Sequence, residues 1–166
     1  MTRQPKRVLW TLLAIAALAL AGTAYAASPD SHAKPSGRHG NDRTIRLVET
    51  SAVAKPHFVD IGDPGPSIGD IVVVTDGLAY PNGAKAGVMR QDCTLVGLGS
   101  NPLTSTYECA ASFALSDGTI VAEGPFVPTA PEQTQAVTGG TAAFRAAQGE
   151  ATIRAEDDEI TIKLVG

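Results

Sequence analysis

The chain has 166 residues, 43% of them hydrophobic and 18% charged, the composition of one ordinary globular domain with appendages. Its 13 Lys and Arg stand against 17 Asp and Glu, a net charge of −4, and phosphate neutralisation needs clustered basic residues, so nucleic acid is excluded as a partner. Seventeen glycines and 11 prolines call for many turns.

Residues 1–26 read as a signal peptide. Arg3, Lys6 and Arg7 precede an uncharged apolar run from Val8 to Gly22, and Ala24-Tyr25-Ala26 supplies the small residues of a cleavage position. The run is short for a bilayer span of ~20 residues, so the expectation is cleavage after Ala26 and a protein secreted to the periplasm or medium, without stable membrane insertion; an uncleaved anchor is the alternative. The leader holds three of the 13 basic residues and no acidic one, which leaves ten against 17 and a net charge of −7. Residues 27–43 are rich in Ser, Pro, Gly and charge without apolar periodicity and read as a flexible tether to a domain spanning 44–166. His32 and His39 lie in that tether with no converging ligands, so neither a metal site nor a cofactor is expected.

Beyond the tether, short alternating segments follow at 44–53, 57–61, 69–78, 89–98, 105–115, 119–127, 148–153 and 160–165, with no helical stripe among them. Pro81-Asn82-Gly83 and Ser116-Asp117-Gly118 mark tight hairpins, because Asn-Gly and Asp-Gly tolerate the positive φ such turns require. Many short strands with regular turns predict an all-β sandwich or closed barrel.

Cys93 and Cys109 are the only cysteines, an even number behind an export leader, so they are expected to pair. They stand eight residues either side of Asn101 in the turn cluster Gly99-Ser100-Asn101-Pro102, which places them opposite each other if a hairpin centres there. Facing cysteines share a face. Alternation then groups Gly87, Met89, Gln91, Cys93 and Leu95 inward on one strand, and Tyr107, Cys109, Ala111, Phe113 and Leu115 inward on the next. Gln91 and Tyr107 are the polar exceptions on those apolar faces.

Residues 136–149, AVTGGTAAFRAAQG, read as a tight corner between strands, since adjacent Gly139 and Gly140 allow positive φ or close backbone approach; no Lys-Ser/Thr follows to make a phosphate loop. The stretch resembles the V-T-G-G-[ST]-x-x-[FY] signature of the allene oxide cyclase and dirigent superfamily. Gly69-Asp70-Ile71-Val72, Gly77-Leu78-Ala79-Tyr80, Gly87-Val88, Cys93, Tyr107-Glu108, Ser112-Phe113, Gly118-Thr119-Ile120 and Gly124-Pro125-Phe126 occur in the family's order. The resemblance covers roughly residues 47–153 and is nearest to bacterial secreted proteins with an allene oxide cyclase-like barrel. It implies an eight-stranded antiparallel calycin-like β-barrel, trimeric in many relatives, with room inside for one small ligand.

The resemblance also implies where chemistry would lie. In plant allene oxide cyclases a strand Glu, an Asn, a Pro and a Cys line the cavity and assist an epoxide-opening cyclisation; Glu49 and Cys93 fit the Glu and Cys, Ser51 stands where the Asn would be, and Pro56 matches the Pro across a short gap. A disulfide would remove Cys93 as a thiol. Dirigent proteins often carry Asp and Arg where Ala143 and Gln148 stand here, and Arg145 reads as a solvated corner charge. Parity alone puts Glu49 with Ile45, Leu47, Ser51 and Val53 on a largely uncharged face, where a carboxyl has a raised pKa suited to proton transfer; the opposite parity turns Thr50 inward instead. Glu49 is thus the candidate catalytic residue, with Ser51, Gln91, Tyr107 and Phe113 as ligand contacts, Tyr107 either orienting a ligand through its hydroxyl or holding a structural hydrogen bond. The function implied is the binding of a small, mainly apolar molecule and guidance of its cyclisation or isomerisation. A non-catalytic carrier of hydrophobic ligands or an extracellular structural module is the alternative.

Overall fold

A computed structural model describes residues 42–50 and 56–166. The leader, the tether as far as residue 41 and residues 51–55, Ser51 included, lie outside the described residues. Among the described residues nine strands run in chain order: β1 (Arg43–Glu49), β2 (His57–Val59), β3 (Ile71–Ala79), β4 (Lys85–Gly97), β5 (Thr106–Leu115), β6 (Gly118–Phe126), β7 (Glu132–Gly140), β8 (Gln148–Arg154) and β9 (Glu159–Val165). From β3 to β9 each strand pairs antiparallel with the next, and β9 pairs with β1 along its length. The last residues of β1, Val48 and Glu49, then pair with Ala79 and Leu78 of β3, and the ring closes.

The barrel therefore has eight staves, with β1 and β2 sharing one of them. β2 adds to the opposite end of β3 from β1, with Phe58 across from Val72. Several bounds differ from the sequence reading, β4 for one beginning at Lys85 and not at Met89. Arg43, placed at the end of the tether, is the first residue of β1, and β7 begins at Glu132 where alternation had shown only the pair Ala136-Val137.

Inward residues follow the period of two. Leu47, Phe113, Ile120, Ile160 and Ile162 are fully buried and pack with Ile45, Met89 and Phe144 into one core cluster. Each such side chain contributes about 1.5–3 kcal/mol by leaving water. Ile45, Met89, Phe113, Ile120, Phe144 and Ile162 sit toward the end of the barrel where β1 begins and β5 ends, and Leu47 with its partner Ile160 lies nearer the middle. The other end, where β1 stops and β5 starts, is looser and holds the cavity described below.

The turns bear out the residues that announced them. Gly83 has φ +83°, and the Asn82 side chain accepts from the Ala84 amide at 3.0 Å, closing the β3–β4 hairpin. In the 139–140 pair only Gly140 is sterically required: a methyl there would lie 2.5 Å from the Thr119 carbonyl and 2.6 Å from that of Phe144. A 3-10 turn over Ala142–Phe144 completes the corner and drops Phe144 into the core.

Candidate functional site

The β4–β5 register places Cys93 opposite Cys109, and the two are joined by a disulfide with Cα atoms 4.0 Å apart. Short Cα separation is what a directly cross-strand pair produces. The bridge fixes the hairpin whose inner face forms one wall of the cavity, and Cys93 lines that cavity as a half-cystine, not as a thiol.

The cavity has a volume of about 330 Å3 and opens at the loose end of the barrel. Its walls are Val72 and Val74 of β3, Met89, Gln91 and Cys93 of β4, and Tyr107 of β5. Pro56, Phe58, Pro102, Leu103, Phe126 and Pro128 surround the mouth, and Glu49, Ile153, Arg154 and Asp158 close the side nearest β1 and β9. Apolar contacts dominate, which suits a small ligand of mainly apolar surface.

Of the two carboxyls that line this side, Asp158 is exposed and Glu49 is half-buried. Leu47, two residues before it, is buried and Thr50, beside it, is exposed, so the inward parity is the one adopted. Backbone bonds fix the strand end on both sides: Glu49 N–H donates to the Asp158 carbonyl and Thr50 N–H to that of Gly77, both at 2.9 Å. Burial pushes the Glu49 carboxyl from its usual 4.5 up to about 7, with further contributions from the charges of Asp76 and Asp158. Asp76 lies on the inward face of β3, two residues from the Leu78 that pairs with Glu49, and is only 5% exposed. Glu49 therefore keeps its proton at pH values below about 7.

Tyr107 lines the cavity with its ring, while its hydroxyl donates to the Pro102 carbonyl at 3.1 Å. The hydroxyl hydrogen is thus engaged in holding the mouth. Burial, followed by the charge of Asp70, raises its pKa. Gln91 lines the cavity too. Phe113, named from the same inward face as a ligand contact, is 0% exposed between Met89 and Ile120 at the packed end and does not line the cavity. Parity gives the face of a strand residue but not its depth along the barrel.

Sequence reasoning missed the contribution of β7. Its inward residues at the cavity end are Gln133 and Gln135, whose polarity broke the apolar alternation. Gln133 lines the cavity, and its side-chain oxygen accepts from the Val127 amide at 2.5 Å, tying the β6–β7 loop down beside Phe126. On the mouth's outer side the Asp70 carboxylate accepts from the amides of Ile61 and Ser67 at 2.8 and 2.7 Å and from the Ser67 hydroxyl at 3.1 Å. Those bonds pin the loop between β2 and β3 and hold the Asp70 carboxyl below the usual carboxylate range, the Ile61 amide contributing most.

No family model matches the chain, and no curated protein matches it in sequence. Solved structures do match in shape. Pyocyanin demethylase superposes with a TM-score of 0.60 at 24% identity, over 75% of this chain and 99% of its own. The Diels-Alderase AbmU from Streptomyces koyangensis gives 0.52 at 11% identity, over 78% of this chain and 71% of its own. The pterocarpan synthase dirigent protein GePTS1 gives 0.51 at 18% identity, over 74% and 83%. The fold is that of the dirigent and cyclase barrels. At these identities the likeness is one of fold.

Proposed function

We propose that the barrel holds a small, mainly apolar molecule in its cavity and guides its cyclisation or isomerisation, with Glu49 moving the proton. The observation that carries the reading is a carboxyl with a pKa of about 7 in a mainly apolar cavity, since a general acid works best with a pKa near the operating pH. Protonated Glu49 donates to an electron-rich atom of the ligand, a carbonyl or epoxide oxygen. The resulting carboxylate takes a proton back from an adjacent carbon or hydroxyl, and the net change is an isomerisation in which Glu49 is regenerated. Confinement of a flexible chain against Val72, Val74, Met89 and Phe126 brings reacting ends together before any proton moves. That the same fold serves proteins named as a Diels-Alderase and a pterocarpan synthase supports a ring-forming role for such a cavity.

A carrier without catalysis is the second reading, favoured by two groups that are already committed: Cys93 is bridged and the Tyr107 hydroxyl is engaged with Pro102. Incubation with a panel of hydrophobic polyenes, epoxides and enones, followed by both binding and product analysis, separates the two. Conversion that falls in Glu49→Gln supports the first, saturable binding without conversion supports the carrier, and absence of both overturns the cavity as a ligand site.

Export is part of the proposal. The leader in residues 1–26 and a bridged cysteine pair both suit an oxidising compartment. Amino-terminal sequencing of protein recovered outside the cytoplasm should begin at Ala27.

A further inference from the structure

Two inward-facing glutamines have amide groups with nothing to bond among the described residues. Gln91 on β4 is 7% exposed and its Nε2 lacks a partner; Gln135 on β7 is 1% exposed and lacks one at both Nε2 and Oε1. Gln91 lines the cavity, and Gln135 shares its face with the cavity-lining Gln133, two residues deeper. The neighbours of Gln135 are small: it pairs with Ala151 of β8, and a methyl on Gly124 would come within 3.3 Å of its Cα. Packing does not account for these side chains, because Leu or Met would occupy similar volume without stranding a polar group, and buried amides in folded proteins are nearly always hydrogen-bonded.

We infer that the two amides are the recognition site for the polar head of the bound molecule, and that this head is a neutral lactam- or amide-type donor–acceptor pair. The inference rests on the reading of the cavity as a ligand site. A primary carboxamide presents a donor and an acceptor side by side, so its complement is a group carrying an acceptor beside a donor. This holds whichever way round the Gln135 amide is turned. A cyclic amide and a protonated carboxylic acid both have that pattern, but an ordinary carboxylic acid is ionised at neutral pH and then has no donor to offer. The neutral lactam is what remains. Gln91 stands three strands round the ring from Gln135 and adds an N–H from the facing wall, so the head is held from both sides while the apolar body extends toward Phe58 at the mouth.

The test uses 2-quinolone, a flat lactam; its 1-methyl derivative, which keeps the carbonyl and loses the N–H; and naphthalene, two rings without a polar head. Each is titrated into the protein and into Gln135→Leu by calorimetry, with Gln135→Met as the second variant if Leu does not fold. The expected result is 2-quinolone binding about 10-fold tighter than its methyl derivative, a difference that shrinks to about 2-fold in Gln135→Leu, with naphthalene bound equally by both proteins. The empty variant should also melt higher than the parent, since an unpartnered amide has gone. Equal binding of the two quinolones beside measurable binding of naphthalene would overturn the inference and leave the ligand site standing. Lactam preference retained in a variant that melts lower would overturn it too, because the amide's partner would then be a structural water. Binding of none of the three would remove the ligand site itself, and the inference with it.

Discussion

The hydroxyl of Tyr107 donates to the carbonyl of Pro102 at 3.1 Å, and the hydroxyl of Thr129 donates to the carbonyl of the next residue, Leu103, at the same distance. The turn at the mouth is thus held from β5 on one side and from the β6–β7 loop on the other. Tyr107→Phe removes one neutral hydrogen bond and leaves the Pro102 carbonyl only the longer one from the Ser105 N–H at 3.4 Å, so stability should fall by about 0.5–1.5 kcal/mol. Chemical denaturation of the two proteins checks this, and the variant's ligand affinity should change little because the ring stays.

Glu49→Gln should keep the fold and lower turnover by roughly 100-fold or more, the amide having the shape of the acid without its proton. In the parent protein turnover that uses the acid form should decline as pH rises past about 7. Single-turnover rates across the pH range read both effects.

Stability should carry the same signature. The folded pKa of Glu49 is raised above its ordinary value, so the folded state binds the proton more tightly than the unfolded chain does; its contribution is fully present below the unfolded pKa of 4.5 and is lost as pH rises through about 7. The loss is at most about 3 kcal/mol, at 1.36 kcal/mol per unit. Denaturation midpoints should therefore show Glu49→Gln equal to the parent near pH 4 and more stable than it above about pH 8.

Legibility in the sequence followed the physics of each segment. The β4–β5 register could be read because two cysteines stand symmetrically about Asn101 and the flanking residues alternate, and both facts survive in the pairing of Cys93 with Cys109. The inward setting of Glu49 was one of two parities that the residues allowed, and the closure of β1 onto both β9 and β3 selects it. β7 was hidden because Glu132, Gln133, Thr134 and Gln135 are polar on both faces, although two of them point inward. Phe113 was assigned to the right face at the wrong depth, since a period of two carries no information on which layer of a barrel stays open.

Removing the disulfide by Cys93→Ser with Cys109→Ser should cost about 3 kcal/mol from release of the 16-residue loop, with the cavity wall most affected. Denaturation of the double variant measures the loss. A non-reduced digest should return the two cysteines in one linked peptide pair.

Asp70→Asn should loosen the loop it pins, seen as faster amide exchange at Ile61 and Ser67. Because the Asp70 carboxyl is held below the usual range, its stabilising effect is present above the unfolded pKa and is lost as pH falls through the folded one. The acid limb of the parent's stability profile should therefore flatten in the variant.

The pairing of β1 with β9 sets an order of events for the newly made chain. Every other stave can find its partner from the neighbouring hairpin, but the first strand must wait for the last, more than a hundred residues later, before its edge is covered. Such a topology has high contact order and folds slowly for its size. Until that contact forms, two open sheet edges face water, the Glu49 N–H lacks the Asp158 carbonyl, and the Glu49 carboxyl is not yet buried. The environment that raises the Glu49 pKa is created in the same step that closes the ring, so a partly folded chain carries an ordinary carboxyl at that position.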